Sequence, residues 1–530
     1  MVEYKRFGVM LDMSRNAVMK VEEVKHFIDL IKKFGYNALG LYLEDTYEIE
    51  GEKYFGYLRG RYSAQELKDI DDYAYANGVE VIPYIQTLAH LTNITRHQVY
   101  DEIIDIDDIL LIDEPKTYDL IDKMLKTCSN TFRSKNINIG MDEAFNVGLG
   151  KYLKQHGYCD RYEVILRHLN KVVDIAKKYE LKPNMWSDMF FRIACGDYYV
   201  PTSIPEEVKK LVPENIGLEY WDYYHKDKEL YDKMFKSHKE FNREVSFAGG
   251  AWSWHGFAPL SKFSINTMKP AMQSVIDNGI KNVMITMWGD AGHECSVYSL
   301  LHVLYAIRQY ADGEFDDSII AQKFKEDTGF DFDGFMTLDL PNLFNKDEIL
   351  DEPHNPCRVL LYQDIFMGYL DKNYQNNGEI PYGEYAKIIA KESKNAGEFK
   401  YVFDTYEKLC LALEIKAGLG LKLRNAYKTD RNSLKELLPQ IKELQLRVKD
   451  FHKAFSYLWH KENKPYGFEI HDARLGGLLL RLETCYNRLN DYLIGNVDRI
   501  PELEEEILPV DNGKLLRHHS YAAIISHNVM

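Results

Sequence analysis

Two adjacent carboxylates, Asp142 and Glu143, follow the run Ile137–Met141, whose one polar side chain is Asn138. Neighbours on a strand point to opposite faces, so the two carboxyls can take different parts. Burial can keep one protonated as a general acid while the other stays ionised. Most acidic pairs are solvated loop charges; a pair at the tip of a buried strand is better placed for chemistry. Similar polar ends recur along the chain. They are Asp12 with Arg15, Glu44 with Asp45, Gln86 with His90 beyond it, Trp186 with Asp188, and Glu219, Trp221 and Tyr223 on one face by alternation. Trp252 with Trp254, and Trp288 with Asp290 and Glu294, complete the series. Five of the six tryptophans fall in this set, which makes it the most informative distribution in the chain. Flat aromatic faces, carboxylates and a planar guanidinium suit a sugar ring, which presents apolar C–H faces and a belt of hydroxyls.

The elements that must position these ends are short β-rich runs alternating with amphipathic helical runs. Strands are expected at Phe7–Asp12, Ala38–Leu43, Val79–Gln86, Ile137–Met141, Pro183–Trp186, Ile216–Tyr223, Val245–Ala251 and Val283–Trp288. The first helix is the clearest: Val21, Val24, Phe27, Ile28, Ile31 and Phe34 recur at helical spacing, charges take the other face, and Gly35 is a stop. Others are expected near Ala64–Ala76, Tyr118–Arg133, Tyr162–Tyr179, Glu229–Glu240, Asn266–Asn278 and Ser296–Tyr310. The crossover between Trp186 and Ile216 has the weakest pattern. Parallel strands need such crossovers, and eight of them predict a (β/α)8 TIM barrel over residues 1–314. An open, doubly wound sheet is the alternative. In a barrel the polar ends gather at the C-terminal mouth, and tryptophans there line it, since the inner layers favour branched aliphatics. Beyond residue 315 the strand signal fades. Tyr401–Arg424, Ser433–Trp459 and Asp472–Tyr492 predict an α-helical C-terminal domain over 315–530, with Tyr521–Ser526 as a docked strand or tail.

The net charge is −16 with no basic block, which argues against a nucleic-acid partner. The seven cysteines are odd in number, spread out and never in a CxxC, which predicts reduced thiols and a cytoplasmic location. No apolar run approaches the roughly 18 residues of a membrane span, and the start of the chain has no signal-peptide pattern. No membrane partner is expected. The Gly148–Lys151 run lacks phosphate-loop spacing, Asp105–Asp108 lacks the glycine of a calcium loop, and His90, His255 and His293 have no ligand-like spacing. No metal and no cofactor are expected.

With these residues in place, the barrel resembles glycoside hydrolase family 20, the β-N-acetylhexosaminidases, over roughly residues 5–310. Ile137-Asn-Ile-Gly-Met-Asp-Glu143 is similar to the family's His-x-Gly-Gly-Asp-Glu strand. Leu11-Asp-Met-Ser-Arg15 resembles its Leu-Asp-x-x-Arg opening, and Val81–His90 its run ending in Pro-Gly-His. Met287-Trp-Gly-Asp290 resembles its Trp-x-Glu. The variant wording, with the helical C-terminal region, resembles the bacterial N-acetyl-β-D-glucosaminidases, and strand one opening near residue 7 implies a form without the family's usual N-terminal domain.

The resemblance implies an exo-acting enzyme that removes terminal N-acetylglucosamine, with N-acetylgalactosamine a second candidate, from N-acetylated oligosaccharides. It implies a retaining, substrate-assisted mechanism through an oxazolinium ion, an exception to the scheme of two protein carboxylates. Glu143 would be the acid and base, and Asp142 would hold the acetamido N–H. Arg15 would grip ring hydroxyls. Trp186, Trp221, Trp252 and Trp288 would wall the sugar, and Asp290 stands where the family has Glu. His90, with Glu44 or Asp45, would support Glu143 from behind. Departures are Asn138 and Met141 in the motif, Leu88-Ala89 for Pro-Gly, and no tyrosine at the end of strand seven, where the family has one that donates to the acetamido oxygen. Tyr223 is the substitute considered. A glycosidase with two protein carboxylates, an inactive sugar-binding protein and a metal-dependent hydrolase are the competing readings. The size of the helical region leaves a homodimer open.

Overall fold

The computed structural model describes residues 3–511, 513, 517–518 and 520–528. The chain divides into two compact units. The first comprises Met1–Ala251, Ser264–Trp288 and Leu304–Phe315; the second comprises Trp252–Phe263, Gly289–Val303 and Asp316–Met530.

The first unit is built on a closed parallel barrel of eight strands. In chain order these are β1 (Arg6–Asp12), β2 (Ala38–Tyr42), β3 (Glu80–Tyr84), β4 (Asn136–Asn138), β5 (Lys182–Trp186), β6 (Gly217–Trp221), β7 (Val245–Gly250) and β8 (Asn282–Met287). Each pairs with the next, and β8 closes on β1 with Phe7 opposite Val283 and Leu11 opposite Met287. The closed barrel removes the open-sheet alternative. Both faces of a barrel strand are covered, and β2 and β8 are accordingly buried along their whole length.

The crossovers follow local chemistry. Helix α1 (Val21–Lys33) buries Val24, Phe27, Ile28 and Ile31, with acids in its first turn and lysines in its last. Helix α2 (Ala64–Ala76) opens on a capping box between Ser63 and Glu66. Helix α3 (Pro115–Thr131) starts with proline, and α4 (Arg161–Lys178) is capped by Asp160. The weak fifth crossover holds two short helices, α5 (Asp188–Cys195), ended by Gly196 at φ +83°, and α6 (Glu206–Leu211). Helices α7 (Lys228–Lys239), α8 (Ser261–Asp277) and α9 (Leu301–Ala311) follow the last three strands.

Strand β4 is shorter than the expected Ile137–Met141. Its pairing stops at Asn138, because Gly140 and Met141 turn left-handed at φ +75° and +74°.

The second unit is helical. Its longest helices are Arg431–Glu462 and Glu469–Ile494, which pack against one another; the first also packs against Lys400–Lys416. The expected helix Tyr401–Arg424 is two helices, Lys400–Lys416 and Leu419–Thr429. Tyr521–Ile525 is a short helix and not a strand. Within this unit the loop Gly289–Val303 is anchored through Glu294, whose buried carboxylate accepts from Arg358 Nε and Arg474 Nη1, each at 2.8 Å. All seven cysteines are free. No helix among the described residues is long and apolar enough to cross a membrane.

Candidate active site

At the C-terminal ends of β1 to β6, side chains from separate crossovers meet around Asp142. Its Oδ1 accepts from Gln86 Nε2 at 2.7 Å, and its Oδ2 lies 3.2 Å from His90 Nε2. Both oxygens are therefore engaged, which fixes the orientation of the carboxylate. Burial raises its pKa, but His90 and Gln86 outweigh burial and hold it below the usual carboxylate value. Burial alone would lower His90; the negative charges of Asp142 and Glu44 instead lift it to about 10. The pair is an imidazolium against a carboxylate over the neutral range.

Glu143 is the more open of the two carboxyls, its side chain 38% exposed against 13% for Asp142. Its Oε2 faces His90 at 3.6 Å and its Oε1 faces Arg192 Nη2 at 3.8 Å. Its backbone N–H donates to Asp188 Oδ2 at 3.0 Å, and Arg192 Nε donates to the same oxygen at 3.3 Å. Asp188 is fully buried and its Oδ1 has no hydrogen-bond partner among the described residues. Burial, with the Asp142 charge adding to it, raises the Asp188 pKa to about 7.

A second chain of contacts supports the pair from β1 and β2. Gln86 Nε2 also donates to the Tyr42 hydroxyl at 2.9 Å, which donates to Glu44 Oε1 at 3.0 Å. Arg15 Nη1 reaches the same Glu44 oxygen at 3.3 Å, and its Nε lies 3.6 Å from Asp12 Oδ2. Burial raises Glu44 to about 7 despite Arg15 and His90. Asp45 turns to Arg59, at 3.3 Å, and Arg59 in turn holds the carbonyls of Ser14 and Arg15.

The aromatic residues form one wall. Trp186 and Trp288 have ring centroids 6.0 Å apart, and Tyr42 meets Trp288 edge-on at 4.7 Å. Trp221 stacks on Tyr223 at 5.5 Å, and the Trp288 indole N–H donates to the Tyr223 hydroxyl at 3.1 Å. The Trp186 indole N–H is buried without a hydrogen-bond partner among the described residues. Four residues around the site, Glu44, His90, Met141 and Glu143, have φ of +44°, +58°, +74° and +52°. Such conformations cost energy and gather where a site over-determines them.

Two stretches of the chain match known protein families. Residues 4–238 match the family model for the glycosyl hydrolase family 20 catalytic domain, and residues 333–521 match that for the glycoside hydrolase 20C C-terminal domain. The chain belongs to glycoside hydrolase family 20. Human hexosaminidase D is 24% identical over 221 residues, a match spanning 39% of this chain and 43% of that protein. Bovine hexosaminidase D is 22% identical over 312 residues, spanning 54% of this chain and 86% of that protein. Among solved structures, the family 20 exo-β-N-acetylglucosaminidase of Vibrio harveyi aligns at a TM-score of 0.47 and 15% identity, covering 63% of this chain and 58% of that one. The family 20 β-N-acetylhexosaminidase of Streptomyces coelicolor aligns at 0.46 and 17%, covering 62% and 70%.

Of the residues expected from this family 20 sequence, Arg15, Glu44, Asp45, His90, Asp142, Glu143, Trp186, Trp221, Tyr223 and Trp288 lie in the first unit. Trp252 and Asp290 lie in the second, where Trp252 stacks on Trp254 at 4.3 Å. Sequence reasoning missed Tyr42, Arg192 and the part played by Asp188. The signal for Arg192 was its position four residues after Asp188, one helical turn on the same face. Tyr42, the last residue of β2, carried no local signal beyond alternation with Glu44.

Proposed function

We propose that the protein is an exo-acting β-N-acetylhexosaminidase that removes terminal N-acetylglucosamine, or N-acetylgalactosamine, from N-acetylated oligosaccharides. Catalysis is retaining and uses the substrate's own acetamido group. The observation that carries this reading is the division of labour at the turn after β4. Asp142 is held as an oriented anion by Gln86 and His90, while Glu143 stands more open beside it.

In the first step the acetamido oxygen attacks C1 and the bond from C1 to the glycosidic oxygen breaks. Its electron pair stays on that oxygen, which takes the proton of Glu143. Asp142 accepts the acetamido N–H and offsets the positive charge that develops on the ring. In the second step Glu143 takes a proton from water, which opens the oxazolinium ion with net retention. Tyr223, whose oxygen accepts the Trp288 N–H at 3.1 Å, is the hydroxyl assigned to the acetamido oxygen. Arg15, fixed between Glu44 and Asp12, is suited to ring hydroxyls. The free cysteines favour a reducing, cytoplasmic setting.

The test is hydrolysis of p-nitrophenyl β-N-acetylglucosaminide by the wild type, Glu143→Gln and Asp142→Asn, with the matching β-glucoside alongside. The expected result is cleavage of the N-acetyl substrate alone, reduced about 10²-fold or more in both variants. Cleavage of the plain glucoside would favour two protein carboxylates. Full activity in either variant would move the chemistry elsewhere.

A further inference from the structure

The turn that carries Glu143 runs straight into an exposed aromatic. Phe145 is 48% exposed, whereas Ala144 and Val147 beside it are buried at 0% and 1%. Its position is set on both sides. Phe145 N donates to the Glu143 carbonyl at 2.6 Å, and its own carbonyl accepts from Arg161 Nη2 at 2.5 Å. Its ring lies against the guanidinium of Arg192, 5.0 Å from the centroid. Arg192 is not a loose surface cation. The fully buried Asp188 holds its Nε, and its guanidinium also lies 6.0 Å from the rings of Tyr198 and Trp221.

The same guanidinium therefore faces both the phenyl ring and Oε1 of Glu143, 3.8 Å away. The other oxygen of Glu143 faces His90 at 3.6 Å, and the same His90 nitrogen lies 3.2 Å from Asp142 Oδ2. A lone exposed apolar side chain needs no explanation. This one is ordered by a guanidinium that a buried carboxylate anchors, and that guanidinium also faces Oε1 of Glu143.

We infer that Phe145, backed by Arg192, forms the subsite for the sugar on the leaving side of the scissile bond. This rests on the reading of Glu143 as acid and Asp142 as acetamido partner. On that reading the sugar that is cut off sits over Asp142, and the proton crosses to an oxygen whose other substituent lies beyond Glu143. Arg192, at the Glu143 oxygen that does not face His90, and Phe145 against it are the groups assigned to that side. The ligand class is a hexose or N-acetylhexosamine ring, whose apolar C–H face stacks on the phenyl ring. Arg192 is a positioning residue that holds the ring from behind and presents spare N–H donors to hydroxyls at its edge.

The test compares the wild type, Phe145→Ala and Phe145→Trp on two substrates: a β-linked N-acetylglucosamine disaccharide and preformed N-acetylglucosamine oxazoline. The oxazoline has no leaving sugar and reads the remaining site alone. Inhibition by free N-acetylglucosamine is measured in parallel. In Phe145→Ala, kcat/KM on the disaccharide is expected to fall about three- to tenfold, mostly through KM. The loss is confined to that substrate, and Phe145→Trp restores or exceeds wild-type disaccharide activity. An equal loss on both substrates, a changed inhibition constant, or an unchanged disaccharide rate would overturn the subsite. A wild type that cleaves the disaccharide but ignores the oxazoline would instead sink the substrate-assisted mechanism, and the inhibition constant then serves as the control. A wild type inert on both removes the proposed function and this subsite with it.

Discussion

Asp188 is the residue whose surroundings are most at odds with its chemistry. It is a fully buried carboxyl beside the anion Asp142, with one oxygen bound to the Glu143 N–H and Arg192 and the other unpartnered among the described residues. A pKa raised to about 7 means that it gains its charge within the working range of most enzymes. Asp142 and Glu143 face it from the turn after β4, Arg192 from its own helix, and Tyr198 from the loop beyond that helix. Asp188→Asn keeps a carbonyl for the Glu143 N–H but loses the charge that holds Arg192. The expected outcome is a fall in kcat/KM of about ten- to a hundredfold from misplacement of Glu143. The wild-type pH profile should also carry an inflection near pH 7 that is shallower in the variant, where Glu44 still titrates there. Rate profiles from pH 5 to 9 would check both. Asp188 was visible in the sequence as a polar strand tip. Its partner was not, because the Glu143 backbone lies 45 residues earlier.

The turn after β4 is an element held by its neighbours more than by its own sequence. Ile137, Ile139 and Met141 alternate with Asn138 and Gly140, so periodicity alone continues the strand to Met141. Instead three side-chain acceptors capture the amides one after another. Asn138 Oδ1 takes Gly140 N at 2.8 Å, Gln86 Oε1 takes Met141 N at 3.3 Å, and Asp188 Oδ2 takes Glu143 N at 3.0 Å. Each non-glycine left-handed residue costs about 1–2 kcal/mol, and these bonds offset it. Gly140 is the position where only glycine serves. At φ +75° an added Cβ would lie 2.5 Å from Gln86 Cδ and 2.9 Å from the Ile85 carbonyl. Gly140→Ala should destabilise the fold by about 2–4 kcal/mol in urea unfolding. Its folded fraction should also be nearly inactive, since the methyl displaces the Gln86 amide that orients Asp142. Wild-type kcat in a folded Gly140→Ala would show that the turn does not govern the site.

At the scale of the whole molecule, the barrel interior carries a charge problem that makes stability depend on pH. Glu219 is buried on β6 among Asn138, Asn184 and Tyr84, and burial lifts it to about 7 from an ordinary 4.5 although all three donate to it. The folded state keeps this proton longer than the unfolded one. Its stabilising contribution is therefore full below about pH 4.5 and is lost as pH rises through 7. Glu219→Gln removes that slope. Relative to the wild type, its Tm is expected to be higher at pH 8 than at pH 5, which thermal melts at the two pH values would read. Equal shifts at both would place the charge elsewhere. The sequence by itself determined the eight strands, most of their crossover helices and the set of polar ends, because burial imprints periods of 2 and 3.6 locally. It also determined the family, through motifs confined to single strand tips. Only the tertiary structure decided that β4 stops at Asn138, that Asp188 grips Glu143, and that Tyr42 and Gln86 link Asp142 to Glu44. It also decided that the loops Trp252–Phe263 and Gly289–Val303 join the helical unit. The reason is physical: these contacts join residues far apart in the chain, and barrel closure and helix packing, which no local spacing encodes, bring them together.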